Sequence, residues 1–157
     1  MLSVHTKRGG AAAKAGHDLE LHVTSWEAAL DLDAGTAELS ADPTSLRVVK
    51  GTGGMMELGD EDKDNIHKTI DDEVLEKRNI TFRSASVEGA GGQYRVDGEL
   101  TLYGSTQPFS FDLAVDGGAV SARASVTQSR WGMKPFSALF GTLKVLDDVE
   151  VRLESPA

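Results

Sequence analysis

Between Gln93 and Thr127 the sequence QYRVDGELTLYGSTQPFSFDLAVDGGAVSARASVT alternates apolar and polar residues in three successive runs. Tyr94, Val96, Leu100 and Leu102 share one face of the first run, and Arg95, Asp97, Glu99 and Thr101 the other. After Gly104-Ser105-Thr106 the second run sets Phe109, Phe111, Leu113 and Val115 against Ser110, Asp112 and Asp116. Gly117-Gly118 then supplies the positive backbone angles of a tight hairpin. The third run sets Val120, Ala122, Ala124 and Val126 against Ser121, Arg123, Ser125 and Thr127. A period of two is the signature of strand, so the segment predicts three consecutive antiparallel strands. Each has one apolar face that must be covered.

The flanking sequence extends this pattern. Leu2, Val4 and Thr6 alternate with Ser3 and His5 in a short first strand, and the alanine-rich Gly9 to Gly16 is too short for an independent helix. From Asp18, the residues Leu19, Leu21 and Val23 form an apolar row. At Ser25-Trp26 the phase slips by one, and Trp26, Ala28, Leu30 and Leu32 take over. Such a slip marks a bulge or bend within one strand, or a break between two. Thr36 to Ala41 and Ser45 to Val49 are strands separated by Asp42-Pro43, because proline cannot donate to a ladder. At Asp60 the period changes. Ile66, Ile70 and Val74 recur at helical spacing behind the acids Asp60, Glu61, Asp62 and Asp64, which predicts one amphipathic helix near 62–76. Ile80 to Val87 resumes strand, and Thr142 to Glu154 is the last, with Leu143, Val145, Val149, Val151 and Leu153 on one face.

The expected fold is therefore all-β, a single domain over residues 1–157. A mainly antiparallel meander with so little material to cover two faces of an open sheet favours a closed barrel of about eight strands, which also removes exposed edges.

Charge and composition exclude several functions. With 16 Lys and Arg against 25 Asp and Glu, the formal charge of -9 opposes binding to nucleic acid or to an anionic membrane surface. Cysteine is absent, which removes disulfides and thiol chemistry and fits a reducing compartment. No apolar run approaches the ~20 residues of a membrane span, and the N-terminus has no apolar core of a secretory signal. A soluble, cytoplasmic protein without stable membrane insertion is the expectation.

Catalysis finds little support. His17 and His22 are five apart, which on one strand puts them on opposite faces, and they match no zinc spacing. His5 and His67 read as isolated surface residues. The glycine-rich Gly51 to Gly59 lacks the lysine and spacing of a phosphate cradle. Asp147 shares the parity of Val145 and Val149. That leaves either an inward carboxylate, able to act as a base or to partner a headgroup, or a bulge at Asp147-Asp148. No enzyme activity, metal or cofactor is expected.

What the barrel holds is suggested by residue size. Val120, Ala122, Ala124 and Val126 are a small row, whereas Met55, Met56, Trp131, Met133, Phe136, Leu139 and Phe140 are bulky groups in loops or at strand ends. Small residues inside and large ones at the rim describe a cavity with an apolar mouth. The alternative is that Trp26, Phe109, Phe111 and Trp131 interdigitate with the alanines and fill the space.

The segment GELTLYGSTQPF (Gly98 to Phe109), the preceding helix leading into ITFRS, and the later SRWGM together resemble the YceI-like family of lipocalin-like barrels. The match runs in order from about His17 onward. The resemblance implies an extended barrel that binds a long polyisoprenoid or isoprenoid quinone along its interior. On that reading the lining residues are Trp26, Leu30, Val96, Leu100, Leu102, Phe109, Phe111, Ala122, Ala124, Val126 and Val145. Trp131, Met133, Phe136 and Phe140 stand at the mouth, and Arg130 is either a headgroup donor or a solvated surface residue. The partner is then a polyisoprenoid or other lipid, not nucleic acid. A homodimer is left open, as is a filled barrel that binds another protein and carries no lipid.

Overall fold

A computed structural model describes residues 1–54, 56–138 and 143–156. In chain order the strands are β1 (Leu2–Thr6), β2 (Arg8–Gly9), β3 (Asp18–Val23), β4 (Trp26–Asp31), β5 (Thr36–Ala41) and β6 (Leu46–Thr52). The helix α1 (Asp60–Thr69) follows. Then come β7 (Ile80–Ala90), β8 (Gln93–Leu102), β9 (Ser105–Asp116), β10 (Ala119–Thr127), β11 (Ser137–Ala138), β12 (Leu143–Val145) and β13 (Asp148–Ser155). The three alternating runs at the centre of the sequence are β8, β9 and β10, joined by turns at Tyr103-Gly104 and Gly117-Gly118.

One correction concerns closure. Ten strands form a single antiparallel sheet in the order β4-β5-β7-β8-β9-β10-β13-β1-β3-β6, curled strongly into a half-barrel rather than a closed barrel of eight. The terminal strands β4 and β6 do not pair with each other. The physical reason lies at two bends. The phase slip expected at Ser25-Trp26 is a break at Thr24-Ser25 that separates β3 from β4, and Pro43 separates β5 from β6 with a 3-10 turn at Pro43–Ser45. Asp42 caps that turn by accepting from Thr44 N at 2.9 Å. The bends bind each other, Thr24 N donating to Ser45 O at 3.0 Å and Asp42 N to Ser25 O at 2.9 Å. The first continues the β3·β6 ladder beyond the Val23–Leu46 pair and the second the β4·β5 ladder beyond the Trp26–Ala41 pair, so the two bends turn together and send β4 and β6 to opposite ends of the sheet.

A second, three-stranded sheet, β11-β12-β2, lies beside the first. The last strand expected from the sequence is thus two strands, broken at Leu146-Asp147. The Asp147 carboxylate accepts from Ser129 N at 2.7 Å and from Ser129 Oγ, and its carbonyl accepts from Gln128 N. The break therefore ties the turn after β10 to the start of β13.

The helix begins at Asp60, where the Gly59 amide donates to the Asp62 carboxylate at 2.9 Å and three acids occupy the first turn. It continues as a π-helical turn, Ile70–Val74. Ile70 and Val74 pack on the core, Leu75 is buried, and His67 holds the helix to the sheet through the Leu46 carbonyl at 2.9 Å. Among the described residues no helix is long and apolar enough to cross a membrane.

Candidate functional site

The inward rows of the curled sheet do not meet. They leave a cavity of about 850 Å³. Leu2 and Val4 of β1, Leu19 and Leu21 of β3, and Val149, Val151 and Leu153 of β13 form one stretch of its wall. Ile66, Ile70 and Val74 of the helix segment form another. On β4 the wall is open to solvent: Ala28 and Ala29 line the cavity and are nevertheless exposed.

Of the residues named from the sequence, Trp26, Leu30, Leu100, Leu102, Phe109, Phe111, Ala122, Ala124, Val126, Met133, Phe136 and Val145 all line this cavity. Three others lie off it. Val96 is on the inward row, opposite Val87 and Phe111, but is fully enclosed at 0% exposure and does not line the cavity. Trp131 is 2% exposed, and its indole N–H donates to the Leu100 carbonyl at 2.9 Å. It therefore fastens the connection after β10 to the sheet, packed against the ring of Phe109. Arg130 stacks on that indole, 5.1 Å from the ring centroid, and is exposed. Phe140, like Met55 and Leu139, falls outside the described residues. Met56 is 80% exposed and does not line the cavity.

Phe82, Phe109, Phe111 and Trp131 pack against one another in one cluster. Phe82 and Phe111 meet edge to face at 5.3 Å, and Phe109 contacts Trp131 at 5.9 Å in the same manner. Such pairs add attraction beyond the area they bury and hold the rings in place.

Sequence reasoning missed the inward rows of β1, β3 and β13 and the helix face as lining. Their periodicity was visible, but periodicity gives only a face and says nothing of what that face encloses. It also missed Arg8 and His17, which reach the wall from a two-residue strand and a loop.

On the outer face of β1, His5 meets Ser3 Oγ at 3.0 Å and Glu20 at 4.0 Å, and His22 lies 3.8 Å from Glu20. His5 is therefore half-buried, not an isolated surface residue. Burial, followed by the neighbouring Arg152 cation, pushes its imidazole below the ordinary range. His67 likewise sits 3.3 Å from Asp71. Asp147 is not in the cavity wall. Among the described residues no group of three or more His, Cys, Asp or Glu side chains is arranged to hold a metal ion.

A family model described as a YceI-like domain matches residues 5–157. Among solved structures the chain is similar to BcnA of Burkholderia cenocepacia, with a TM-score of 0.65 and 17% identity, covering 98% of this chain and 94% of that one. It is also similar to the YceI protein of Campylobacter jejuni, with a TM-score of 0.55 and 15% identity, covering 87% of this chain and 85% of that one. No curated protein matches.

Proposed function

This chain belongs to the YceI-like domain family, and from that premise we propose that it binds and carries a long apolar ligand, without catalysis, in the interior of its curled sheet. A polyisoprenoid or an isoprenoid quinone is the ligand class we favour. The observation that carries the reading is the cavity itself. Its volume of about 850 Å³ falls within the ~300–1,000 Å³ of small-molecule sites, and its wall is apolar over most of its extent.

The physical case needs no specific polar contact. Every methylene moved from water into such a space contributes ~0.8 kcal/mol, so an extended chain gains affinity by length. The wall is already shaped by cross-strand pairs: Ala122 stands opposite Leu113 and Leu153, and Ala124 opposite Val151. Small side chains on β10 keep the space open where larger ones on its neighbours bound it. Little of the binding energy is then lost to reordering the protein.

Mass spectrometry of an organic extract, made from protein purified without detergent, tests the proposal. We expect a long-chain apolar species in molar proportion to protein. Extracts free of lipid, together with failure of added isoprenoids to bind, would remove it.

A further inference from the structure

The ten-stranded sheet ends in two unlike edges, β6 and β4. At β6 the edge is blunted. The Leu46 carbonyl is taken by His67 at 2.9 Å and by the Arg47 guanidinium at 3.0 Å, and the register of β6 against β3 shifts between Glu20 and Leu21. Covered backbone, basic side chains and bulges are devices by which natural sheets protect an edge. At β4 no bulge, proline or lysine intervenes. Its six residues pair with β5 in unbroken register, from Trp26–Ala41 to Asp31–Thr36, and among the described residues no strand lies on its other side.

The direction of the free backbone groups follows from the ladder. Asp42 N donates to Ser25 O, one step beyond the Trp26–Ala41 pair, whereas Ala37 N turns the other way, to Ser84 Oγ of β7. Hydrogen-bonded pairs recur at every second residue of an antiparallel ladder. Glu27, Ala29 and Asp31 therefore bond to β5, and the N–H and C=O groups of Trp26, Ala28 and Leu30 point away from it. The side chains of these same three residues line the cavity. The outer row, Glu27, Ala29 and Asp31, is exposed.

An edge with such a row of free groups adds a further strand through main-chain hydrogen bonds. Charge decides which strand fits. Two copies of β4 paired antiparallel would bring Glu27 and Asp31 of one copy directly or diagonally opposite the same carboxylates of the other, which is unfavourable. Basic residues at those places would instead form opposite-charge cross-strand pairs.

We propose that β4 is a docking edge for an extended segment of another protein in which basic residues alternate with apolar ones. The segment adds antiparallel, so that its apolar row continues the cavity wall and its basic row faces Glu27 and Asp31. Docking of this kind requires no ligand in the cavity.

The test is fluorescence anisotropy at physiological salt with labelled short peptides that alternate Arg and Val. In the antiparallel arrangement the Val N–H groups face β4 and the Arg N–H groups face solvent. We expect saturable binding of the plain peptide and of a version N-methylated at each Arg. A version N-methylated at each Val loses every donor to the edge and should bind at least about tenfold more weakly, as should a peptide of alternating Glu and Val. Ala28→Pro removes an N–H that points away from β5, a place where an edge strand tolerates proline, and should weaken the plain peptide with little change in melting temperature. Glu27→Lys, at an exposed position, should weaken the Arg peptide and strengthen the Glu peptide. Equal binding of the two N-methylated peptides, or undiminished binding by Ala28→Pro, would overturn the proposal and leave attraction by net charge alone. A plain peptide that does not bind would overturn it too. So would a wild-type dimer that Ala28→Pro dissociates, because the edge would then serve a second copy of the chain. Should Ala28→Pro fail to fold, the N-methylated peptides and Glu27→Lys decide.

Discussion

Gly98 shows how a single position shapes the cavity wall. It stands opposite Phe109 on β9 and Ser84 on β7, where the register shifts between Ser84 and Ser86. A Cβ there would collide with the Arg83 carbonyl oxygen and come within 2.7 Å of Phe82 Cζ and 2.8 Å of Ser84 Cα. Because the side chain is missing, the Phe82 ring can lie across the strand and meet Phe109 and Phe111. Gly98→Ala should therefore cost about 1–3 kcal/mol in denaturant unfolding, the range of an overpacked core. His5 and Glu150 set a pH dependence on the opposite face of the sheet. The folded His5 resists protonation, so the unfolded chain binds the proton more readily and stability falls as pH drops below about 6.5. The Glu150 carboxyl is held below its usual range, mainly by its hydrogen bond from Arg152 at 2.8 Å, against some opposition from burial. Its contribution is present above about 4.3 and is lost as the pH falls further. His5→Gln should remove the loss of stability below about 6.5 and Glu150→Gln the loss below about 4.3 in unfolding midpoints compared with the wild type at each pH; a variant that keeps the wild-type pH dependence would contradict its assignment.

Among the elements, β10 carries the clearest test of an open interior. Ala122 and Ala124 face the cavity, so Ala122→Leu with Ala124→Leu should leave the melting temperature within a few degrees of the wild type. In a filled core the same change would cost about 1–3 kcal/mol. Strands of this kind were legible from sequence because alternation is local: β8, β9 and β10 need only their own side chains to declare their faces. The bend between β3 and β4 was legible for the same reason, as a phase slip at Ser25-Trp26, and so was the helix, from Ile66, Ile70 and Val74. Pairing of the sheet's ends was not legible. The sheet ends at β4 and β6 because two bends, tied by hydrogen bonds of Thr24 and Ser25 with Ser45 and Asp42, turn together, and these residues lie far apart in the chain and carry no periodic signal. Depth along a strand was hidden as well. Val96 and Leu100 share a face, yet one is fully enclosed and the other reaches the cavity. Trp131 looked like a mouth residue because it follows a strand, whereas its indole N–H fixes it to the Leu100 carbonyl.

As a whole, the molecule is a curled antiparallel sheet with a helix laid against it and an apolar space that the side chains of the described residues leave unfilled. The family match and the similar structures agree on that fold. Its two tryptophans allow the central claim to be read directly, since Trp26 lines the cavity and Trp131 is buried outside it. The measurement is a titration of geranylgeraniol followed by tryptophan emission, in the wild type and in the Ala122→Leu, Ala124→Leu double variant. The account predicts a saturable change in the wild type and binding about tenfold weaker in an equally stable double variant, as expected when added side-chain volume occupies the ligand's space. No saturable change in the wild type, or undiminished binding by the double variant, would contradict it.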